Sequence, residues 1–181
     1  MSKGRMIVIT GSPGTGKTAV SSVIAKEPDM NKSVHLHTDD FNHCLSKGAI
    51  PPHLPESDEQ NLIVIEAFLE AAKRYARGGY DVIVDGIIGP WFLEPWLIGA
   101  GQGYEIHYII LRAEKAVTLK RATERAKLDK KTNTALVEAM WEQFHNTGSY
   151  EKNVIDTTTL SSADTVSEIK RKIAAGTALL K

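Results

Sequence analysis

The sequence predicts an α/β fold, with five parallel strands in one sheet and helices packed on both faces. Three observations carry that prediction. Short apolar runs alternate with longer helix-like segments along the whole chain, the order expected of strand–helix–strand units. Two of the runs are almost continuous in β-branched residues and leucine, as strands covered on both faces require. The first run ends in a glycine-rich loop that opens straight into a helix-like segment.

The strands are expected at Met6–Ile9, Val34–His37, Asp81–Val84 and Ile106–Leu111, with a shorter fifth at Asn153–Ile155. Helix candidates lie between them. Gly16–Lys26 follows the first strand, and Asp58–Arg77 carries Leu62, Ile65, Phe68, Leu69 and Ala72 at helical spacing before stopping at Gly78-Gly79. Lys115–Lys127 is basic and amphipathic, and Thr134–His145 places Leu136, Met140, Trp141 and Phe144 on a core stripe. Ser161–Leu180 opens on a Ser-Ser-Ala-Asp cap region and continues through Val166, Ile169 and Ile173. No repeat or linker interrupts the chain, so residues 1–181 are expected to form one domain, with a proline-rich loop at Gly48–Pro55.

Composition narrows the function classes. With 42% hydrophobic and 24% charged residues the chain reads as globular rather than disordered. Twenty-two basic residues balance 22 acidic ones, which removes the electrostatic argument for a nucleic-acid partner. No apolar stretch approaches the ~20 residues of a membrane span, and no targeting segment is read at the N-terminus. The single cysteine, Cys44, cannot form an internal disulfide and points to a reducing, cytoplasmic setting.

The strongest chemical signal is Gly11-Ser12-Pro13-Gly14-Thr15-Gly16-Lys17-Thr18, which fits G-x-x-x-x-G-K-[ST] with a strand before it and a helix after it. Such glycines let backbone amides turn inward around a phosphate, and the helix N-terminus adds positive potential at the same point. Lys17 is expected to reach the β- and γ-phosphates of ATP, and the Thr18 hydroxyl to ligate Mg²⁺.

Two further strand ends carry carboxylates. Asp39 and Asp40 close the second strand, where ligands of parallel sheets bind. Asp39 is expected to act as the base for an acceptor hydroxyl, with Asp40 capping the next helix or supporting the metal. Asp85 ends the third strand in Val82-Ile83-Val84-Asp85-Gly86, a pattern that holds Mg²⁺ through water or orients a substrate group. Trp91, in the loop that follows, either lines the acceptor pocket or simply packs. Beyond the fourth strand, Arg112, Arg121, Arg125, Lys127, Lys130 and Lys131 form a basic segment. Arg121 and Arg125 share one helix face, as a lid over residues 112–131 closing on transferring phosphate would require. His35 and His37 also share a face of the second strand, but no third ligand stands at a telling spacing, and they are read as packing.

Taken together, the glycine loop, Thr38-Asp39-Asp40 and Val84-Asp85-Gly86 resemble small P-loop kinases. Phe144–Tyr150 and Val154–Thr158 look like the end of the chloramphenicol phosphotransferases, whose group also includes gluconate kinases and zeta-type toxins. That resemblance implies a three-layer P-loop kinase fold with strand order 2-3-1-4-5, ATP dependence, a base at Asp39, and adenine contacts from Asp156-Thr157-Thr158. The expected activity is transfer of the γ-phosphoryl group to a hydroxyl of a sugar-like molecule, alcohol or antibiotic, with ATP and Mg²⁺ as cofactors. The expected partner is that small-molecule acceptor, for a chain acting as a monomer or homodimer. A nucleoside or nucleoside monophosphate kinase is the alternative enzyme, although residues 41–60 contain no arginine to grip an acceptor phosphate. A non-catalytic nucleotide-binding regulator is the alternative of another class, and no N-K-x-D tetrapeptide supports a guanine switch.

Overall fold

The computed structural model describes residues 3–124 and 130–181. Its five strands, β1 (Arg5–Thr10), β2 (Ser33–His37), β3 (Asp81–Asp85), β4 (Ile106–Arg112) and β5 (Val154–Asp156), form one parallel sheet in the order β2-β3-β1-β4-β5. The helices are α1 (Lys17–Lys26), α2 (Thr38–His43), α3 (Asp58–Arg77), α4 (Glu94–Gly101), α5 (Lys115–Glu124), α6 (Lys130–His145) and α7 (Ser162–Ala174).

Alternation along β1 shows why its sequence is apolar throughout. Met6 and Val8 enter a core built with Phe68, Ala72, Trp96, Tyr108 and Phe144, on the side of α3, α4 and α6. Ile7 and Ile9 enter a second core with Val20, Ile24, Ile109, Ile169 and Ile173, on the side of α1 and α7. Both faces are therefore dry, and each such side chain contributes about 1.5–3 kcal/mol of burial free energy. Phe144 is fully buried, as its place on the helical stripe implies, while Trp141 is half-buried and donates its indole N–H to the Ala113 carbonyl at 2.8 Å.

Three helix boundaries differ from the sequence expectation. Helix α1 begins at Lys17, because Gly16 is a left-handed N-cap. Helix α6 starts at Lys130, four residues before the expected start at Thr134 and six before Leu136, the first residue of its stripe. Helix α7 has the capping box expected at Ser161 and Asp164 but ends at Ala174 rather than Leu180. Strand β5 covers only Ile110–Arg112 of β4, which leaves the lower half of β4 with an open edge. The C-terminal segment fills that edge, with Tyr108 N–H bonded to Ala178 O at 2.8 Å and Leu180 N–H to Ile106 O at 2.9 Å. Pairing an exposed sheet edge outweighs two more turns of helix. Helix α4 was not expected: Pro95, Gly99 and Gly101 mask its pattern, although Trp96 is wholly buried in it.

Candidate active site

The spatial order β2-β3-β1 sets the site, because the groups singled out in the sequence stand at the C-terminal ends of three adjacent strands. The glycine loop leaves β1 with positive φ at Gly11, Gly14 and Gly16 (141°, 88° and 92°). At Gly11 the requirement is also one of space, since a Cβ would lie 2.1 Å from the Leu111 carbonyl oxygen. Thr15 Oγ1 donates to Ser12 O at 2.9 Å and tightens the turn. Lys17 Nζ folds over the loop and donates to the carbonyls of Gly11 and Ser12, each at 2.9 Å. Helix α1 aims its N-terminus into the same hollow, a ready cradle for anionic phosphate.

Asp85, at the end of β3, is buried with 3% of its side chain exposed, and neither carboxylate oxygen makes a hydrogen bond of good geometry. His37 Nδ1 touches Oδ1, and His35 Nε2 lies 3.5 Å from the same atom. Burial pushes the carboxyl up, but the His35 ring, the Thr18 hydroxyl and the charge of His37 outweigh it and hold the group below the ordinary aspartate value. Thr18 and Asp85 thus bring a hydroxyl and an unsatisfied carboxylate together beside the loop. Those are the oxygen donors that a hard divalent ion such as Mg²⁺ takes, so the residues present fit it.

Asp39 and Asp40 sit in the first turn of α2, not at its cap, and neither supplies a capping hydrogen bond. Both are exposed, yet they differ in surroundings. Asp39 lines a cavity of about 670 Å³ together with Thr38, Asn42, Phe68, Ile88 and Trp91; Asp40 does not line it. Gly86, next to Asp85, is required by Thr38 at the head of α2, whose Oγ1 lies 1.9 Å from where a Cβ would stand. The contact locks the start of α2 against the end of β3.

The loop after β3 is fixed from below. Ile88 N–H donates to Thr10 Oγ1 at 2.8 Å, and the buried Tyr108 hydroxyl donates to Ile88 O at 2.7 Å. Burial pushes the Tyr108 phenol up, so it stays a donor. Trp91, 53% exposed, leans edge-on to Phe144 at 5.1 Å and forms part of the cavity wall. The proline-rich loop supplies the opposite wall through Pro52, His53, Leu54 and Pro55, and α6 supplies Leu136, Ala139, Met140 and Gln143. Nothing in the linear pattern signals that these two segments face each other, because about 80 residues separate them and neither carries a motif. No Lys or Arg stands among the described residues of the cavity lining.

A second hollow, of about 480 Å³, lies on the other side of the glycine loop, between Gly14–Gly16, Arg121, Thr157, Leu160 and Ser161. Arg121 donates to Thr157 O (3.1 Å from both terminal nitrogens) and to Thr158 O (3.3 Å). Arg112 is engaged elsewhere through both terminal nitrogens: it grips Glu151 with two bonds of 2.9 Å and donates to the carbonyls of Phe144 and His145 at the end of α6. Glu151 is held down to about 2, by Arg112 first and then by the Thr147 amide and hydroxyl. Arg125 and Lys127 lie outside the described residues, and of Lys130 and Lys131 only the backbone is described. No helix among the described residues is long and apolar enough to cross a membrane.

Residues 7–146, which hold the loop, all three strand ends and most of the cavity, match the AAA domain family. The chain belongs to the AAA domain family. Among solved structures, this AAA domain superposes on the Mycobacterium tuberculosis APS kinase CysC in complex with AMPPNP and APS, with a TM-score of 0.73, 14% identity, and coverage of 96% of this chain and 99% of that one. It superposes on a gluconokinase from Sinorhizobium meliloti 1021 with a TM-score of 0.68, 17% identity and coverage of 98% and 95%. For the Deinococcus radiodurans tunicamycin resistance protein the values are 0.65, 20% and 99% of both chains. The fold is therefore that of the P-loop kinases, in the strand order that the sequence resemblance implied. No curated protein matches the chain by sequence.

Proposed function

We propose that this protein transfers the γ-phosphoryl group of ATP to a hydroxyl of a partly apolar small molecule that is uncharged or cationic. The observation that carries the reading is the alignment of three strand ends. The phosphate-binding loop leaves β1, the buried Asp85 closes β3, and Asp39 follows β2 on the wall of an open cavity. Donor cradle, ion ligand and base thus stand in the order that phosphoryl transfer needs.

In this reading Mg²⁺ supplies charge neutralisation on the phosphates, and Thr18 and Asp85 would hold it. Backbone amides of Gly11–Thr18 bind the phosphates, and Lys17 leaves the Gly11 and Ser12 carbonyls to pair with phosphate oxygens. Asp39 accepts the acceptor's hydroxyl proton as that oxygen bonds to the γ-phosphorus. The bond from phosphorus to the β–γ bridging oxygen breaks, and ADP departs. Arg121 has both terminal nitrogens engaged by the Thr157 and Thr158 carbonyls, which leaves the plane of its guanidinium suited to the nucleotide base beside Thr157. Arg125 remains the candidate lid cation.

The acceptor class follows from the cavity. Its floor holds Val64, Ile65, Phe68, Ile88 and Met140, and its charged side chains include Asp39 and Asp58 with no described cation. An acceptor phosphate or sulfate would be buried there unpaired, at a cost of several kcal/mol. Amphiphilic alcohols fit; phosphorylated acceptors do not.

The test measures ADP formation against a panel of neutral, cationic and phosphorylated hydroxyl compounds, followed by Asp39→Asn on the best acceptor. Transfer is expected to a neutral or cationic alcohol, falling about 10²–10⁴-fold in Asp39→Asn while ATP binding persists. A nucleotide as the preferred acceptor, or full activity in Asp39→Asn, would overturn the reading.

A further inference from the structure

We propose that His35, His37 and Asp85 form a binding site for a divalent transition-metal ion of the Zn²⁺, Co²⁺ or Ni²⁺ type. The site follows from strand register. His35 and His37 are two apart on β2 and so share a face, and β3 pairs His37 with Asp85 and His35 with Ile83. Parallel pairing therefore delivers the third ligand that spacing within β2 cannot supply. The ligand atoms of the three side chains all lie within 4.8 Å of one another.

The distances suit an ion. Two ligand atoms on a tetrahedral centre with bonds of about 2.0–2.2 Å stand roughly 3.3–3.6 Å apart. His35 Nε2 and Asp85 Oδ1 are 3.5 Å apart. His37 Nδ1 touches Oδ1 and has to draw back; its side chain, 36% exposed against 18% for His35, has the freedom to do so. The two imidazoles stand side by side, ring centres 4.2 Å apart and tilted by 43°.

A second observation points to a ligand independently of the geometry. Both Asp85 oxygens and His35 Nε2 are buried and make no hydrogen bond of good geometry, a state that native proteins avoid because each such atom loses its water without full replacement. A cation between Asp85 Oδ1 and His35 Nε2 satisfies both of those atoms. Two imidazoles and one carboxylate select a borderline ion over Mg²⁺ or Ca²⁺, which take oxygen donors. The ion would share Asp85 with the Mg²⁺ reading above, but its binding stands whether or not the protein is a kinase.

The experiment uses the full chain, freed of metal and without nucleotide. Titration with Co²⁺ is followed by visible absorption, and titration with Zn²⁺ by proton NMR of the six histidines. One Co²⁺ per chain with a low-symmetry visible spectrum is expected, and Zn²⁺ should shift two of the six imidazole signals. His35→Gln and His37→Gln should each weaken binding more than about 100-fold, the upper end of losses from removing mere outer-sphere partners; His43→Gln should leave it intact. The NMR measurement on the unaltered protein decides the matter even if a variant fails to fold. No stoichiometric Co²⁺ binding, Zn²⁺ shifts at histidines other than these two, or binding that survives in folded His35→Gln would overturn the proposal.

Discussion

Adding a single methyl group at Gly86 tests how the site is assembled. The backbone there does not have positive φ, so Gly86→Ala introduces no backbone strain and acts only through space. The new Cβ would stand 1.9 Å from Thr38 Oγ1 and 2.9 Å from both Thr38 Cβ and Cγ2. Rotating Thr38 about χ1 can turn the hydroxyl away but leaves the 2.9 Å contact with its Cβ, so α2 must retreat by roughly half an ångström or more to restore ordinary contact. Overpacking of this kind destabilises by about 1–3 kcal/mol. Since Asp39 is the next residue after Thr38, the retreat also carries the proposed base away from the cavity, and misplacement on the order of 1 Å lowers turnover by about 10²-fold. The decisive measurement is a double-mutant cycle by equilibrium urea unfolding. Thr38→Ala removes two of the three clashing atoms, so the double variant should regain about 1 kcal/mol relative to the sum of the single changes. Gly86→Ala within about 0.5 kcal/mol of the parent protein, or strict additivity in the cycle, would refute the packing argument.

Lys17→Ala should lower phosphoryl transfer at least about 100-fold and weaken ATP binding, as measured by ADP release and by equilibrium titration; retained turnover would remove the loop from the chemistry. Trp91→Ala opens the cavity wall and should raise the acceptor KM several-fold with little change in the KM for ATP, because Trp91 lines only the acceptor side. Glu151 has a folded-state value near 2 against an ordinary 4.5, so its contribution is complete above about pH 4.5 and disappears as pH falls towards 2. Glu151→Gln should therefore be less stable than the parent at pH 6 by under about 1 kcal/mol, an exposed pair being well screened. Urea unfolding at pH 6 and pH 3 should show the gap narrowing.

The parts of the fold that were legible in the sequence are those where local pattern and global need coincide. Continuous apolar runs announced β1, β3 and β4 because both faces of the central strands are dry. The capping box announced α7 because Ser161 and Asp164 satisfy one another within four residues. Where tertiary demand overrode pattern, the reading failed: α7 stops early because the chain beyond it pairs with the open edge of β4. Helix α4 escaped notice because its buried Trp96 stands among prolines and glycines. The same division holds at the site. The loop Gly11–Thr18 is contiguous and needed no structure to be found, whereas the proposed acceptor cavity draws on residues 38–42, 52–68, 87–92 and 136–143. No linear pattern encodes such a wall. Arg112 shows the opposite hazard, since a cation placed by sequence over the phosphates turns out to bind Glu151 and two carbonyls.

Strand β3 carries a buried aspartate at each end, and the contrast between them separates structure from chemistry. Asp81, at the lower end, is fully buried and receives Arg5 Nε at 2.8 Å and Nη2 at 3.1 Å, from the residue that faces it in the register of β1. Its charge is balanced and its oxygens are satisfied, which is what a buried ion needs in order to persist without function. Asp85, four residues on, is almost as deeply buried but has no guanidinium, no hydrogen-bond donor of good geometry, and neighbours that carry full charge only when protonated. The two residues have the same composition, the same strand and nearly the same burial. Only the upper one is left open, and it is left open beside the phosphate loop. A carboxylate held ionised without a fixed partner is a place for a cation that comes and goes, and the fold supplies two kinds of neighbour for it, the Thr18 hydroxyl and the paired imidazoles of β2.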